Sequence, residues 1–365
     1  MNKKYKYIHL VWHNELKFSC RLIELINDPD NGLMPSEHLF ITPHKEVFEA
    51  FNAYDNVRLV AAKGKAASTI NEYAPLCDWM FIHSMCSPLE GLKIKNSYLP
   101  KIIWRTWGSD LIYLYNPHHP IKNSIKYIIN LLWKKKIHSC RAIGIANTVD
   151  IININEKFGN IRTFYIPYVG KNDFINLRTI RETPINTNDN CLKIMVGHSG
   201  YSNDNHFEMI NLLSKYKDEK IKVCFILSYG NNEYITNIKK YALQMLGSKA
   251  LFIEKFMPFD EYATFVNQID IALLDGKESY ALGNIAMLLF FRKKVFLNEK
   301  GIIKKAFDYE KLPYKCTKEI LNMNFSDFSH AEIYDENISD NIMPHSYEYD
   351  LCEWHKILDC LDKDI

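Results

Sequence analysis

The chain has 365 residues, 47% apolar and 24% charged, with 20 Phe and 22 Tyr. That length suits two domains, and that aromatic content excludes a disordered chain. A net charge of +2 excludes a polyanion binder, so no nucleic-acid partner is expected.

Residues 1–6 are basic but no apolar segment or small-residue cleavage site follows, and the longest apolar run, 285–291, is far short of the roughly 20 residues of a membrane span. The expectation is neither a secreted nor an integral membrane protein. The cysteines are odd in number, 9, and contain no CxxC pair, which points to buried thiols in a reducing cytoplasm rather than to disulfides or a zinc ribbon.

Apolar runs predict strands at 7–12, 38–42, 57–61, 79–83, 101–106, 142–146 and 163–167. A second series follows at 193–197, 222–228, 250–255, 269–274 and 294–298. Amphipathic stretches at 15–26, 206–216, 233–246 and 260–268 predict helices between them. Strands alternating with helices mean βαβ units and parallel sheets. Residues 171–190 are polar, carry Thr183-Pro184 and end in an Asn-rich string, as a linker would. The tail 346–361 predicts a last helix, with Leu351, Trp354, Ile357, Leu358 and Leu361 at helical spacing. The expected architecture is α/β of the GT-B layout. A Rossmann-like domain 1–170, joined by a C-terminal crossover helix within 346–365, and a second domain 191–345 flank the linker, with ligands in the cleft between them at the strand ends.

There is no GxGxxG and no GxxxxGK[ST] string. The one Asp-x-Asp, Asp28-Pro29-Asp30, runs into Asn31-Gly32 and reads as a turn rather than a metal site. No metal and no cofactor are expected.

Three strand-to-helix loops of the second half carry candidate chemistry. The first is Gly197-His198-Ser199-Gly200-Tyr201-Ser202-Asn203, whose small residues let backbone N–H groups approach a phosphate. The second is Tyr229-Gly230-Asn231-Asn232-Glu233-Tyr234, with amide, carboxylate and aromatic groups suited to a base and ribose. The third is Ala281-Leu282-Gly283-Asn284, where Gly283 and Asn284 suit the N-cap of an apolar helix aimed at a diphosphate. Each reads equally as ordinary turn and capping chemistry.

In the first half, Trp104-Arg105-Thr106-Trp107-Gly108-Ser109-Asp110 follows a strand. Trp107 offers a sugar platform, Gly108 a turn, and Asp110 a base for an attacking hydroxyl or simply a helix cap. His83 and His13 end strands and are rival bases or structural histidines, with His13 placed on the acceptor side.

Residues 101–141 hold 8 Lys/Arg and one acid, Asp110. Within them, 121–136 sets Ile121, Ile125, Ile128, Ile129 and Leu132 on one helical face, flanked by Lys122 and Lys126 and closed by Trp133-Lys134-Lys135-Lys136. That pattern suits a helix lying on an anionic membrane, with Trp133 at the interface, and suits a core-facing amphipathic helix as well.

Several of these strings together resemble one family. Trp107-Gly108-Ser109-Asp110-Leu111 is similar to the W-G-x-D-L string of the Fuc4NAc (4-acetamido-4,6-dideoxygalactose) transferases of enterobacterial common antigen synthesis, also called 4-alpha-L-fucosyltransferases. Val196-Gly197-His198-Ser199-Gly200 resembles V-G-N-S-G, with His198 in place of Asn, and Ser202-Asn203 resembles the S-N that follows. Asn231-Asn232-Glu233, Phe259-Asp260-x-Tyr262 and Val295-Phe296-Leu297-Asn298 resemble N-N-E, F-D-x-Y and the V-L-N strand end. Ala281-Leu282-Gly283-Asn284 resembles G-I-G-T, departing at Ala281 and Asn284, and Glu278 stands where the family suggests a basic residue. The resemblance implies a GT-B glycosyltransferase that takes a dTDP-sugar and a polyprenyl-diphosphate-linked acceptor on the cytoplasmic face of the membrane.

Overall fold

The computed structural model describes residues 5–13, 16–61, 66–84, 88–107, 124–168, 171–184, 191–278, 281–330 and 347–364. The chain divides into two compact units, Met1–Gly170 with Tyr347–Ile365, and Lys171–Ser346.

The first unit is built on seven parallel strands, β1 (Tyr5–Val11), β2 (His38–Thr42), β3 (Val57–Leu59), β4 (Cys77–His83), β5 (Ile102–Arg105), β6 (Ala142–Ile145) and β7 (Thr163–Tyr165), in the order β3-β2-β1-β4-β5-β6-β7. β1 and β4 are central and almost wholly buried, because a parallel sheet is covered on both faces. One face carries Ile8, Leu10, Met80, Ile82 and Trp104. The other carries Tyr7, Phe40, Trp79 and Phe81, and the C-terminal helix Tyr347–Asp362 seals it with Trp354, Ile357, Leu358 and Leu361. Strand order reverses between β1 and β4, and the loops at that switch point start at Trp12 and Ser84.

The second unit repeats the plan with six parallel strands, β8 (Leu192–Val196), β9 (Ile221–Ile226), β10 (Ala250–Ile253), β11 (Ile271–Leu274), β12 (Lys294–Leu297) and β13 (Lys315–Cys316), ordered β10-β9-β8-β11-β12-β13. Its switch point lies between β8 and β11.

One expectation changes. Residues 171–190, read as a linker, begin with the helix Lys171–Glu182, which belongs to the second unit. Asn267 Nδ2 donates to Ile180 O at 3.0 Å, and the Arg181 guanidinium sits 4.4 Å from the Phe290 ring centroid. A polar sequence can still form a helix when a few groups dock it. Asp28-Pro29-Asp30 is the expected turn, with Asp28 Oδ1 accepting from Asp30 N at 3.0 Å and Gly32 left-handed at φ 67°.

Candidate active site

At the switch point of the first unit, His13 follows β1 and lies against Trp107, ring centroids 4.4 Å apart. Tyr168, which follows β7, closes on both, 6.5 Å from His13 and 6.4 Å from Trp107. The Arg105 guanidinium, at the end of β5, stacks 4.7 Å over the Tyr168 ring, and Arg105 Nε donates to Ile166 O at 2.9 Å. Neither ring nitrogen of His13 has a hydrogen-bond partner among the described residues. Burial, helped by His44 and Arg105, lowers its pKa to about 4, so it is neutral at pH 7.

His83 reaches the same place from below and is 1% exposed. Its Nδ1 is hydrogen-bonded to the Tyr168 hydroxyl, and its Nε2 lies 3.1 Å from His9 Nδ1. His9 Nε2 in turn lies 2.9 Å from His38 Nδ1. Burial holds His9 and His83 well below the ordinary histidine range. Thus His83 is at the expected strand end but does not itself open to a ligand. Gly108 and Asp110 lie outside the described residues.

In the second unit the loop after β8 is organised by Asp204. Asp204 Oδ1 lies 2.7 Å from His198 Nδ1, while Oδ2 accepts from His198 N at 3.2 Å, Ser199 N at 3.0 Å and Ser199 Oγ at 2.8 Å. The amides of His198 and Ser199 therefore serve an internal carboxylate in this arrangement rather than pointing at a phosphate. Burial pushes the Asp204 carboxyl up, and the His198 and Ser199 hydrogen bonds outweigh it to hold the group below its ordinary value. Gly197 has φ 67°, and a Cβ there would meet His206 Nε2 at 2.6 Å.

Gly200 and Gly230 pair as a parallel bridge, with Gly200 N donating to Tyr229 O at 2.6 Å and Asn231 N donating to Gly200 O at 3.0 Å. The bridge brings the first two candidate loops together. Tyr229 and Tyr201 stand half-exposed beside each other, ring centroids 6.3 Å apart. Ser202 is exposed and Asn203 half-buried on the short turn that leads to Asp204. Asn231 Oδ1 caps the helix Asn232–Leu246 by accepting from Tyr234 N at 2.9 Å, and Asn232 and Glu233 are exposed on its first turn. Tyr234 turns inward instead, edge-on to His206 at 5.8 Å and Phe207 at 5.6 Å, so it braces the loop more than it faces a nucleotide.

The third loop differs from its expected form. The helix Leu282–Phe290 starts after Ala281, which is left-handed at φ 61° and makes no side-chain cap. Gly283 and Asn284 are first-turn residues rather than the cap, and a Cβ on Gly283 would meet nothing within 4 Å.

Sequence reasoning missed Tyr168, Arg105, Asp204, His9 and His38. It also missed Asp275, which follows β11, is buried, and accepts from Asn205 Nδ2 at 2.9 Å and Thr317 Oγ1 at 2.5 Å. The alternation Tyr7, His9, Val11 was the available signal for His9, since a strand sends alternate residues to one face. Asp204 had none, because its partners are backbone amides.

The sequence model of the 4-alpha-L-fucosyltransferases, glycosyl transferase group 56, matches residues 48–359. The chain belongs to this family. Among solved structures it is similar to a glycosyltransferase from Rickettsia africae ESF-5, with TM-score 0.62, 13% identity, and coverage of 99% of this chain and 98% of that one. It is also similar to Anabaena HepE in complex with UDP, with TM-score 0.62, 10% identity, and coverage of 98% and 100%. A putative UDP-N-acetylglucosamine 2-epimerase from Listeria monocytogenes shares the fold at TM-score 0.58 and 12% identity, with coverage of 99% and 98%. The fold is GT-B, and this fucosyltransferase-family member is a glycosyltransferase.

No helix among the described residues is long and apolar enough to cross a membrane. The helix Ser124–Ile137 leaves Ile125, Tyr127, Ile128, Leu131 and Leu132 exposed, with Ile125 at 74%. Ile129 is half-buried, and Ile121 and Lys122 lie outside the described residues. Trp133, expected at a lipid interface, is buried instead, packed 5.7 Å from Trp104, where it fits because Gly91 has no side chain. Lys136 is also turned inward, donating to Leu92 O at 2.8 Å and Ile94 O at 2.5 Å, while Lys134 and Lys135 are exposed.

Proposed function

We propose that the protein transfers a 6-deoxyamino-hexose such as Fuc4NAc from a dTDP-sugar to a polyprenyl-diphosphate-linked oligosaccharide, while bound peripherally to the cytoplasmic face of the membrane. The observation that carries the lipid half is the exposed apolar row of the helix Ser124–Ile137, ended by Lys134 and Lys135. A row anchored from behind by Trp133 and open to solvent suits the boundary of an anionic bilayer, where each lysine contributes about 1 kcal/mol.

The second unit takes the donor. Tyr201, Tyr229, Asn232 and Glu233 offer base and ribose contacts, and the uncapped first turn of the helix Leu282–Phe290, at Gly283 and Asn284, offers amides to the diphosphate. HepE, of the same fold, was crystallised with UDP and with UDP-glucose, which supports a nucleotide-sugar donor. The first unit takes the acceptor, with Trp107 as platform and His13 as hydrogen-bond partner. The acceptor proton leaves through the His83 end of that pocket, and Asp110 is the rival base. Asp110→Asn with wild-type turnover supports His83. A fall of about 100-fold with nucleotide binding intact returns the role to Asp110.

A thermal-shift screen with dTDP, UDP and GDP tests the donor: a selective rise with dTDP is expected, and selectivity for UDP or GDP overturns the dTDP assignment. Ile125→Glu with Ile128→Glu tests the membrane arm. Both positions are exposed, so Tm should hold while co-sedimentation with anionic vesicles falls; unchanged binding rejects that helix as the anchor. A nucleotide-sugar epimerase, the activity named for the Listeria relative, would instead convert the donor with no acceptor present.

A further inference from the structure

His38, His9 and His83 lie on three adjacent strands, β2, β1 and β4, all on the face sealed by Trp354. Their rings stack at centroid distances of 5.2 Å for His38–His9 and 5.4 Å for His9–His83, and Phe40 and Phe81 hold His9 at 4.6 and 4.8 Å. Every link is a ring-nitrogen contact of hydrogen-bond length, and the last joins His83 to the Tyr168 hydroxyl. The line runs from the start of β2 at His38 to Tyr168, beside Trp107 at the switch point.

Burying three histidines side by side is costly unless each is neutral and hydrogen-bonded. An apolar residue would fill each place, and Phe40 and Phe81 already do so on either side. A chain of neutral imidazoles has a property no phenylalanine stack has: every ring accepts a proton on one nitrogen while giving one up from the other.

We propose that Tyr168 is the catalytic residue that receives the acceptor proton, and that His83, His9 and His38 relay that charge to the start of β2. This rests on the acceptor site proposed above. As the acceptor oxygen bonds to the sugar C1, the C1–O bond to the diphosphate breaks and its electron pair leaves with the nucleoside diphosphate. The acceptor O–H proton passes to Tyr168 Oη, and the phenolic proton passes to His83 Nδ1. His83 gives its Nε2 proton to His9 Nδ1, and His9 gives its Nε2 proton to His38 Nδ1. His38 gives its Nε2 proton to water, and once product has left the reverse shift takes up a proton from water at His38 Nε2 and releases one through Tyr168, restoring every tautomer.

The relay answers a difficulty in the pocket. Burial disfavours an imidazolium at His83, so His83 cannot keep a proton, but it can pass one on. Arg105 over the Tyr168 ring repels positive charge at the pocket end. At the far end burial, with Lys6 opposing the charge and the Asp362 carboxylate favouring it, lowers the His38 pKa to about 3, so His38 too passes a proton on rather than keeping it, with Tyr7 stacked on its ring at 4.7 Å.

The test combines kinetics and ring spectroscopy on the full-length protein. In H2O/D2O mixtures the wild-type turnover should give a bowed proton inventory, because several protons move together. Tyr168→Phe and His9→Phe should lower kcat about 10–100-fold with acceptor KM within twofold, and straighten the inventory. His9→Phe keeps the aromatic stack, and Tyr168→Phe changes only a hydroxyl at the pocket edge, so one variant serves if the other does not fold. With 15N-labelled histidine, Tyr168→Phe should move the ring signals of His9 and His38, not of His83 alone. Wild-type kcat in folded Tyr168→Phe, or a His38 ring indifferent to it, overturns the relay. The ring measurement needs no acceptor: if no lipid-linked acceptor is glycosylated, the proposed function fails, while coupled rings still uphold the chain and uncoupled rings still reject it.

Discussion

Asp204 Oδ1 lies 2.7 Å from His198 Nδ1, and this contact ties the loop after β8 to the turn that leads into the helix His206–Ser214. One carboxylate fixes four donors. Asp204→Asn keeps the size but loses the charge, and should cost about 2 kcal/mol of stability, since hydrogen bonds to a charged group each contribute about 1.5–3 kcal/mol. The folded carboxyl is held below its ordinary value, so its contribution is complete above the unfolded carboxylate range and fades as pH falls through the depressed folded value. Urea melts at pH 7 and in acid should show the wild-type advantage over the variant shrinking as pH falls.

Gly230 lies directly against the Gly200 backbone. Its φ is 145°, and a Cβ there would lie 2.4 Å from the carbonyl carbon of Gly200. Backbone cannot yield as a side-chain tip can, so Gly230→Ala should cost about 2 kcal/mol or more and separate the two loops. Calorimetry checks the stability, and nucleotide titration should show weaker binding.

Gly283 makes the opposite case. Its surroundings are open, so Gly283→Ala should raise stability by up to about 1 kcal/mol through helix propensity. The same methyl would stand in the turn proposed to meet the diphosphate. Donor KM should rise severalfold while Tm does not fall; an unchanged KM removes that turn from the donor site.

Asp350 sits fully buried in the first turn of the C-terminal helix. Burial, with Glu353 nearby, raises its pKa to about 8, and neither carboxylate oxygen has a hydrogen-bond partner among the described residues. The folded state holds this proton where the unfolded state has lost it, so stability falls as pH rises from about 4 to about 8. Asp350→Asn should melt higher than wild type at pH 8, and the gap should close toward pH 4.

Twelve of the thirteen strands among the described residues were readable because buried parallel strands are continuous apolar runs of distinctive length. The exception, β13, has 2 residues, too short for any period. The helix Lys171–Glu182 was hidden because its polar composition and the following Thr183-Pro184 outweighed a weak apolar pattern. Apolar runs placed His13, His83, Trp107 and Gly197 at or just after the ends of β1, β4, β5 and β8, where the chain order brings residues to a switch point. What each can do was not readable. Whether His83 faces a ligand or another imidazole depends on His9 and Tyr168, which are 74 and 85 residues away in sequence. Trp133 showed the same limit: periodicity marks an apolar face but not which residue on the helix turns inward.

The most direct test of the account is a single reaction containing the purified protein, a dTDP-linked deoxyamino-hexose and a polyprenyl-diphosphate-linked oligosaccharide, with dTDP release and the mass of the lipid product followed together. One dTDP should be released for each lipid that gains one deoxyamino-hexose unit. Release of dTDP with the lipid unchanged, or an epimerised donor with no dTDP released, would contradict it.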